Sequence, residues 1–230
     1  MIQAVGHRGA AGLVPENTLA GFARAIELGC DAVECDVHLS RDGRLIVMHD
    51  DTVGRTTDGA GRIADMTLAD IRALDAGGGQ KVPVLDEVLA AVRGRCGLFC
   101  ELKADGTEAP AAEAVVAAGM ADEVLLISFG LHRLENLRRR GGFRLGALLG
   151  ERELKDMDRA LAMSVEQIGV YWRSVDAEIV GRASSAGAAV GAWTVNEPTD
   201  MRAMIALEVD AITSDRPDLL LDVLKTQGLR

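Results

Sequence analysis

Aromatic residues are scarce in this chain of 230 residues: two tryptophans, one tyrosine and four phenylalanines amount to 3% of it. The core must therefore consist mainly of aliphatic side chains, which the hydrophobic content of 48% can supply. No apolar run approaches the roughly 18 residues that a membrane-spanning helix needs, so we expect no stable membrane insertion. The N-terminal MIQAVGHRGA has no basic start followed by an apolar stretch, which argues against a signal peptide.

Positive charge is also in short supply. Twenty-five lysines and arginines face 35 acids, which gives a net charge of −10 and a pI near 4.9. This balance argues against a nucleic-acid partner and against electrostatic attraction to anionic membranes. An anionic substrate would need a local positive site or a bound cation. Composition leaves the oligomeric state open.

The four cysteines are Cys30, Cys35, Cys96 and Cys100, and they form no C-x-x-C pair or other spacing typical of a metal site. Reduced, mostly buried thiols in a cytoplasmic protein are the expected state. Cys35 and Cys100 adjoin acidic residues in predicted strands. Because side chains alternate along a strand, these two thiols are predicted to pack in the core, away from the acids.

Short strand-like segments alternate with amphipathic helical segments along the chain. Eight strands are predicted at residues 2–6, 32–36, 97–100, 124–128, 144–149, 167–171, 188–195 and 211–213. Helices are predicted to open at PENT (15–18) and to occupy 67–74, 83–93, 107–118, 132–140, 152–162, 177–186, 198–208 and 217–225. The pattern is typical of a (β/α)8 TIM barrel, here a single domain over residues 1–230. A doubly wound open sheet is the alternative, but no glycine-rich nucleotide fingerprint follows any strand.

The second strand extends into a predicted hairpin. Ser40-Arg41-Asp42-Gly43 carries the Asp-Gly signal of a tight turn, and residues 44–48 return antiparallel. With the turn centred there, paired residue numbers sum to roughly 84 to 85. This register brings Asp36 near His49. A loop-rich excursion is predicted over residues 51–82, between two strands of the barrel.

The active sites of such barrels lie at the C-terminal ends of the strands. Polar side chains are predicted at several of these ends, and the hairpin adds one more: His7, Arg8, Glu34, Asp36, His49, Glu101, Lys103, Ser128, Trp193, Ser214 and Asp215. So many complementary groups at one rim indicate an active site.

Each group has a chemical role that suits its type. The carboxylates of Glu34, Asp36 and Glu101 offer the oxygen ligands that Mg²⁺ or Ca²⁺ prefers. The alternative is that Arg8 and Lys103 relieve their repulsion as simple salt bridges. Two histidines, His7 and His49, can act as general acid and base near neutral pH, although single histidines are more often structural.

Arg8 can hold a phosphate through two donors, and Lys103 can add a point charge beside it. His38 lies on the hairpin and is predicted to be solvated. His132 is predicted to cap a helix.

Several motifs, in order along nearly the whole chain, resemble the glycerophosphodiester phosphodiesterase family: HRGA (7–10), PENT (15–18), ECDVHLSRDG (34–43), MHDDTVGRTT (48–57), ELK (101–103), SF (128–129), WTVN (193–196) and VDAITSDRPD (209–218). The resemblance implies a (β/α)8 barrel that uses a divalent metal to hydrolyse glycerophosphodiesters to glycerol 3-phosphate and an alcohol. By this resemblance Glu34, Asp36 and Glu101 match metal ligands, and His7 and His49 match the catalytic pair. Arg8 and Lys103 match phosphate contacts, and Trp193 matches an aromatic wall of the pocket.

Two other hypotheses about the function stay open at this point. One is a lysophospholipase D-like or cyclising lyase activity on lysolipids, and another is a metal-binding regulatory barrel without turnover. The segment AGGGQKV (76–82) lacks the aromatic residues that the family often carries there, which leaves the substrate's alcohol group undetermined.

Overall fold

The computed structural model describes residues 2–230 and consists of a closed barrel surrounded by helices. Its strands are β1 (Gln3–Gly6), β2 (Ala32–Leu39), β3 (Leu45–Val47), β4 (Gly97–Leu102), β5 (Val124–Ser128), β6 (Arg144–Leu149), β7 (Gln167–Tyr171), β8 (Ala189–Trp193) and β9 (Ala211–Ser214). Eight of them run parallel in the order β1-β9-β8-β7-β6-β5-β4-β2, and β2 pairs again with β1. The predicted (β/α)8 barrel is therefore confirmed, with β3 as an added antiparallel strand.

Nine α-helices accompany the strands: α1 (Leu19–Leu28), α2 (Leu68–Ala73), α3 (Leu85–Val92), α4 (Glu108–Ala117), α5 (Leu131–Arg140), α6 (Met157–Ala162), α7 (Ala177–Ser185), α8 (Pro198–Ala206) and α9 (Pro217–Thr226) within residues 2–230. The first begins later than PENT suggested. Thr18 is its N-cap and accepts a hydrogen bond from the Gly21 amide, while Asn17 has a φ of +54°, which a helix cannot accommodate. Within residues 2–230 no helix combines the length and apolarity needed to cross a membrane.

The hairpin has the predicted register. Val37 pairs with Val47, and Leu39 pairs with Leu45, so paired numbers sum to 84. The Met48 amide donates to the Asp36 carbonyl at 3.0 Å, which continues this register beyond β3. The polypeptide after β3 is thereby held beside the end of β2.

The excursion between β3 and β4 is better ordered than its loop-rich sequence indicated. It has an apolar core of its own, formed by Ile46, Met48, Val53, Ile63, Ile71, Ala76, Val82 and Val84. Val53 and Ile71 are completely buried there. Since this small core includes residues of the hairpin, the excursion is fixed to the rim of the barrel.

The inside of the barrel is incompletely filled on one side. Gly146, Gly169 and Gly191, on the consecutive strands β6, β7 and β8, all line the central cavity, whose volume is about 140 Å³. A Cβ at Gly169 would lie 2.7 Å from Leu148 Cδ2, and one at Gly191 would lie 2.1 Å from Gln167 Nε2. Absence of side chains at these positions keeps the cavity open.

The turn of the hairpin gives a first testable prediction. Gly43 has a φ of +76° and no atom within 4 Å of its Cβ position, so a substitution there is opposed by backbone strain alone. We expect Gly43→Val to lower the free energy of unfolding by about 1–2 kcal/mol, because a β-branched residue disfavours the left-handed region. Urea denaturation measures this loss. A reduced kcat would show that a change in the hairpin register displaces His49.

The matched control is Gly43→Asn, since asparagine tolerates positive φ. Equal stability of the valine and asparagine variants would contradict the assignment of strain to this turn.

Candidate active site

Three carboxylates converge at the C-terminal end of the barrel. Glu34 and Asp36 are on β2 and Glu101 is on β4, and the parallel pairing sets Asp36 directly beside Glu101. One oxygen from each lies within 4.8 Å of the others. Their exposed fractions are 4%, 1% and 8%, so the three acids are almost out of contact with water. The structure thus brings together the three residues predicted to bind a metal.

Burial and mutual repulsion disturb these acids strongly. Burial, with the charges of Asp36 and Glu101, raises the pKa of Glu34 well above its ordinary value. Burial and then Asp36 raise the pKa of Glu101 to about 7. Burial also disfavours ionised Asp36, but Lys103 and Arg8 outweigh it and leave the pKa of Asp36 below its ordinary value. Three carboxylates that lie this close together offer oxygen ligands that fit a hard divalent cation.

Two cations already lie against this cluster. Lys103 Nζ is 3.0 Å from Glu101 Oε1 and 3.4 Å from Asp36 Oδ1. Arg8 Nε is 3.4 Å from Asp36 Oδ2, and the Arg8 amide donates to Glu34 Oε2 at 3.0 Å. The salt-bridge alternative is therefore part of the observed arrangement. Both cations also line the cavity, where they can meet an anion.

His7 follows β1 and is held by an acid that directly follows β9. Its Nδ1 lies 2.6 Å from Asp215 Oδ1, and Asp215 Oδ2 accepts from Asn196 Nδ2 at 2.6 Å. Burial disfavours the charged form of Asp215, but these hydrogen bonds and the His7 charge outweigh it and lower its pKa. An ionised carboxylate only accepts, so Nδ1 carries the proton, and Nε2 of the neutral ring can accept another.

His49 is held in a similar way at the end of the hairpin. Its Nδ1 lies 2.7 Å from Asp50 Oδ1, and its ring lines the same cavity as His7. Burial lowers the pKa of His49, with Lys103 and Arg8 acting in the same direction against the opposing effect of Asp36 and Asp50. The imidazole is consequently disposed to be neutral in the absence of an anionic substrate.

The prediction that His38 is solvated was wrong. This residue is only 8% exposed, and its Nε2 lies 3.0 Å from the His49 carbonyl oxygen. Residues 63–65 of the folded excursion contact β2, and the alternation of residues within the hairpin could not indicate this contact. Through this hydrogen bond, His38 fixes the backbone that carries His49.

The far wall of the cavity is apolar. Trp193 packs edge-on against Phe129 with ring centroids 5.4 Å apart, and its ring is 5.8 Å from that of Tyr171. Trp193 and Phe129 line the cavity together with Phe99 and Leu148. Trp193, one of the few aromatic residues of the chain, therefore lies in the wall of this cavity.

Other predicted residues lie away from the cavity. Cys35 and Cys100 are fully buried in the core between barrel and helices, as alternation predicted. His132 does not cap α5, because its Nε2 contacts Asp105 Oδ1 at 2.7 Å on the surface.

Sequence reasoning missed several residues that support the site. Asn17 donates to Asp36 Oδ2 at 2.9 Å, and Glu16 accepts from Arg8 at 2.9 Å. Asp50 and Asp215 were visible beside His49 and at a strand end, but their hydrogen bonds to the two histidines were not assigned. The available signal for Glu16 and Asn17 was the PENT motif, which is one of the motifs that carry the family resemblance.

Comparison with known proteins agrees with this geometry. The profile of the Glycerophosphoryl diester phosphodiesterase family matches residues 7–219. A glycerophosphodiester phosphodiesterase of Caldanaerobacter subterraneus subsp. tengcongensis is 33% identical, over 97% of this chain and 98% of its own length. The crystal structure of a glycerophosphodiester phosphodiesterase from Agrobacterium tumefaciens str. C58 is 33% identical with a TM-score of 0.84, covering 96% of this chain and 99% of that one.

A third similar protein is a phosphodiesterase of Oleispira antarctica, solved in complex with the product sn-glycerol 3-phosphate. It is 29% identical with a TM-score of 0.90, and the match covers 97% of this chain and 96% of that one. The family profile covers nearly the whole barrel, including both histidines and all three buried acids. This chain belongs to the glycerophosphoryl diester phosphodiesterase family.

Proposed function

We propose that this protein hydrolyses glycerophosphodiesters to glycerol 3-phosphate and an alcohol, with Mg²⁺ or Ca²⁺ bound by Glu34, Asp36 and Glu101. The observation that carries the proposal is that Glu34 and Glu101 line one cavity with two cations and two carboxylate-paired histidines. Asp36 completes the acidic cluster, with an oxygen within 4.8 Å of those of the other two acids. The product bound to the Oleispira antarctica relative supports the same substrate class.

The bound metal would offset the negative charge of the phosphate and activate a nearby hydroxyl. The chain's own contribution begins with Arg8 and Lys103, which line the cavity and can donate to the non-bridging oxygens of a phosphodiester. A cation held by the carboxylates would also relieve the repulsion that raises the pKa of Glu34 and Glu101.

His7 is assigned as the base. Asp215 holds the Nδ1 proton, so Nε2 can accept the proton of the attacking hydroxyl, whether of water or of the glycerol C2 position. Asn196 in turn holds the other oxygen of Asp215. The imidazole is thereby fixed in one tautomer and one orientation.

His49 is assigned as the acid that protonates the leaving alcohol. Its lowered pKa in the free protein opposes protonation. The negative charge of a bound phosphodiester acts in the opposite direction, and Asp50 stabilises the imidazolium from behind. Protonation of His49 is therefore coupled to substrate binding in this mechanism.

Product analysis separates hydrolysis from a cyclising lyase reaction. Phosphorus NMR of the products of glycerophosphocholine should show glycerol 3-phosphate accumulating. A stable cyclic phosphate as the end product would instead support the lyase. A complete absence of turnover on a panel of glycerophosphodiesters would support a regulatory barrel.

Metal removal provides a direct test. We expect EDTA to abolish glycerol 3-phosphate release and added Mg²⁺ or Ca²⁺ to restore it, because the buried acids require a cation to bind an anionic substrate. Isothermal titration should show a metal affinity that Glu101→Gln weakens. Full activity of the chelated, metal-free protein would contradict the proposal.

The two histidines should differ in their dependence on the leaving group. A p-nitrophenoxide departs without a proton, whereas the alkoxide of choline needs one. We expect His49→Ala to lower kcat on glycerophosphocholine by about 10²–10⁴-fold while sparing a p-nitrophenyl phosphodiester. His7→Ala should be poor on both substrates because the nucleophile still needs a base.

The reverse pattern would exchange the two assignments. Small and equal losses in both variants on both substrates would remove the histidines from proton transfer.

The His7–Asp215 hydrogen bond leads to a further prediction. Asp215→Asn keeps the size of the side chain but removes the charge that selects the Nδ1 proton. We expect kcat to fall by about 10- to 100-fold, which is the usual effect of replacing a residue that orients a functional histidine through a hydrogen bond. The melting temperature should be nearly unchanged. Asp218→Asn is the control, because that acid pairs with Arg216 near the same strand end. An Asp215→Asn enzyme as active as the control would disprove the role of this contact.

A further inference from the structure

Arg55 links a carboxylate that contacts Arg8 to a carboxylate that contacts His49. It lies in the excursion, and its guanidinium contacts two carboxylates at once. Its Nη1 and Nη2 atoms donate to Glu16 Oε2 and Oε1, both at 2.8 Å. Its Nε and Nη2 atoms donate to Asp50 Oδ2 at 2.7 Å and to Asp50 Oδ1 at 3.2 Å. A two-sided fork of this kind is a geometry that arginine can provide and lysine cannot.

Each of these carboxylates also contacts a group of the candidate active site. Glu16 accepts from Arg8 NH1 at 2.9 Å, and Asp50 Oδ1 lies 2.7 Å from His49 Nδ1. The resulting series of contacts runs from Arg8 through Glu16, Arg55 and Asp50 to His49. Arg55 is the member that joins the PENT loop to the hairpin.

The charges along this series are stabilised by their neighbours. Hydrogen bonds from Arg55 and then from His49 hold the pKa of Asp50 well below its ordinary range. Hydrogen bonds to Glu16 and Asp50 raise the pKa of Arg55. Isolated ion pairs at an exposed residue such as Arg55 are worth little, but here one fork fixes two acids whose other partners are already positioned.

The backbone that carries Arg55 is held in place. Val53, two residues earlier, is fully buried in the excursion's core and its amide donates to the Gly61 carbonyl at 3.0 Å. The Thr57 amide and hydroxyl both bond to the Val53 carbonyl, at 3.1 and 2.8 Å. Arg55 therefore projects from a closed turn whose position is set by packing.

Asp50 depends on Arg55 more than Glu16 does. Within residues 2–230, the side-chain oxygens of Asp50 have hydrogen-bond partners only in Arg55 and His49. Glu16, in contrast, also holds Arg8, and Arg8 has a further partner in Asp36. Removal of Arg55 would leave Arg8 with both partners but would leave Asp50, at 29% side-chain exposure, able to turn towards solvent.

We propose that Arg55 is a positioning residue that acts on His49 through Asp50, keeping the proton on Nδ1 and directing Nε2 at the leaving group. The inference rests on the proposed function, since it assumes that His49 transfers a proton. Glu16 accepts two hydrogen bonds from the other side of the guanidinium and so keeps it oriented for its contact with Asp50.

A double-mutant cycle between Arg55 and His49 tests this inference. We expect Arg55→Met to lower kcat on glycerophosphocholine by about 10- to 100-fold, with a much smaller loss on the p-nitrophenyl phosphodiester. In the His49→Ala background, Arg55→Met should cost nothing further, because its effect passes through that imidazole. Arg62→Met is the matched control: Arg62 belongs to the same excursion, and among residues 2–230 its ion pair is with Asp51 alone, at 3.0 Å.

Ring-nitrogen NMR of histidine-labelled protein gives a second measurement, which does not depend on turnover. Arg55→Met should shift the His49 signals away from a pure Nδ1–H tautomer and leave those of His7 unchanged. Asp50→Asn should produce the same change, which covers the case of an arginine variant that folds poorly.

Three results would overturn the inference. These are equal losses on both substrates, a full additional loss in the His49→Ala background, and unchanged His49 signals in a folded Arg55→Met protein. If His49→Ala is impaired while Arg55→Met matches Arg62→Met, the inference fails and the proposed function stands. If His49→Ala is itself fully active, the inference and the assignment of His49 as the acid fail together, while the hydrolytic function stands.

Discussion

Three carboxylates buried in the interior of the barrel are the constraint on which the rest of the site depends. Glu34, Asp36 and Glu101 are almost completely removed from water, and like charges this close cannot all ionise without compensation. Lys103 and Arg8 supply part of that compensation, and the amide of Asn17 supplies a hydrogen bond. A site built this way costs folding free energy, and a cation bound to the three carboxylates would offset that cost.

Around this cluster, each ionisable group is fixed by another further out. His7 is held by Asp215 and Asp215 by Asn196, while His49 is held by Asp50 on one side and by His38 through its backbone on the other. One histidine follows β1 and the other follows the hairpin, but both have the same arrangement of imidazole and carboxylate. Orientation is thus achieved with hydrogen bonds whose partners lie on strands, in turns and in the excursion.

The parts of this structure that could be predicted from the sequence are those with local or periodic causes. The Asp-Gly turn and strand alternation determined the hairpin register, and the regular alternation of strands and helices determined the barrel. Convergence of Glu34, Asp36 and Glu101 followed because parallel strands end at the same rim. His38 was misjudged because its burial depends on packing by the excursion. The His7–Asp215 contact joins residues 208 positions apart, for which no local pattern exists.

The three inward glycines have a consequence for how this barrel can diverge. Most of its buried apolar side chains lie between strands and helices, whereas the interior cluster consists of Val5, Ala32, Phe99, Leu125, Ile127, Leu148 and Ala211. Folding stability therefore comes chiefly from the outer layer, and the hollow beside Gly146, Gly169 and Gly191 contributes little to it. Changes in side-chain volume around that hollow can reshape the cavity without weakening the closure of the barrel. The shape of the cavity and the stability of the fold therefore depend on different layers of the same strands.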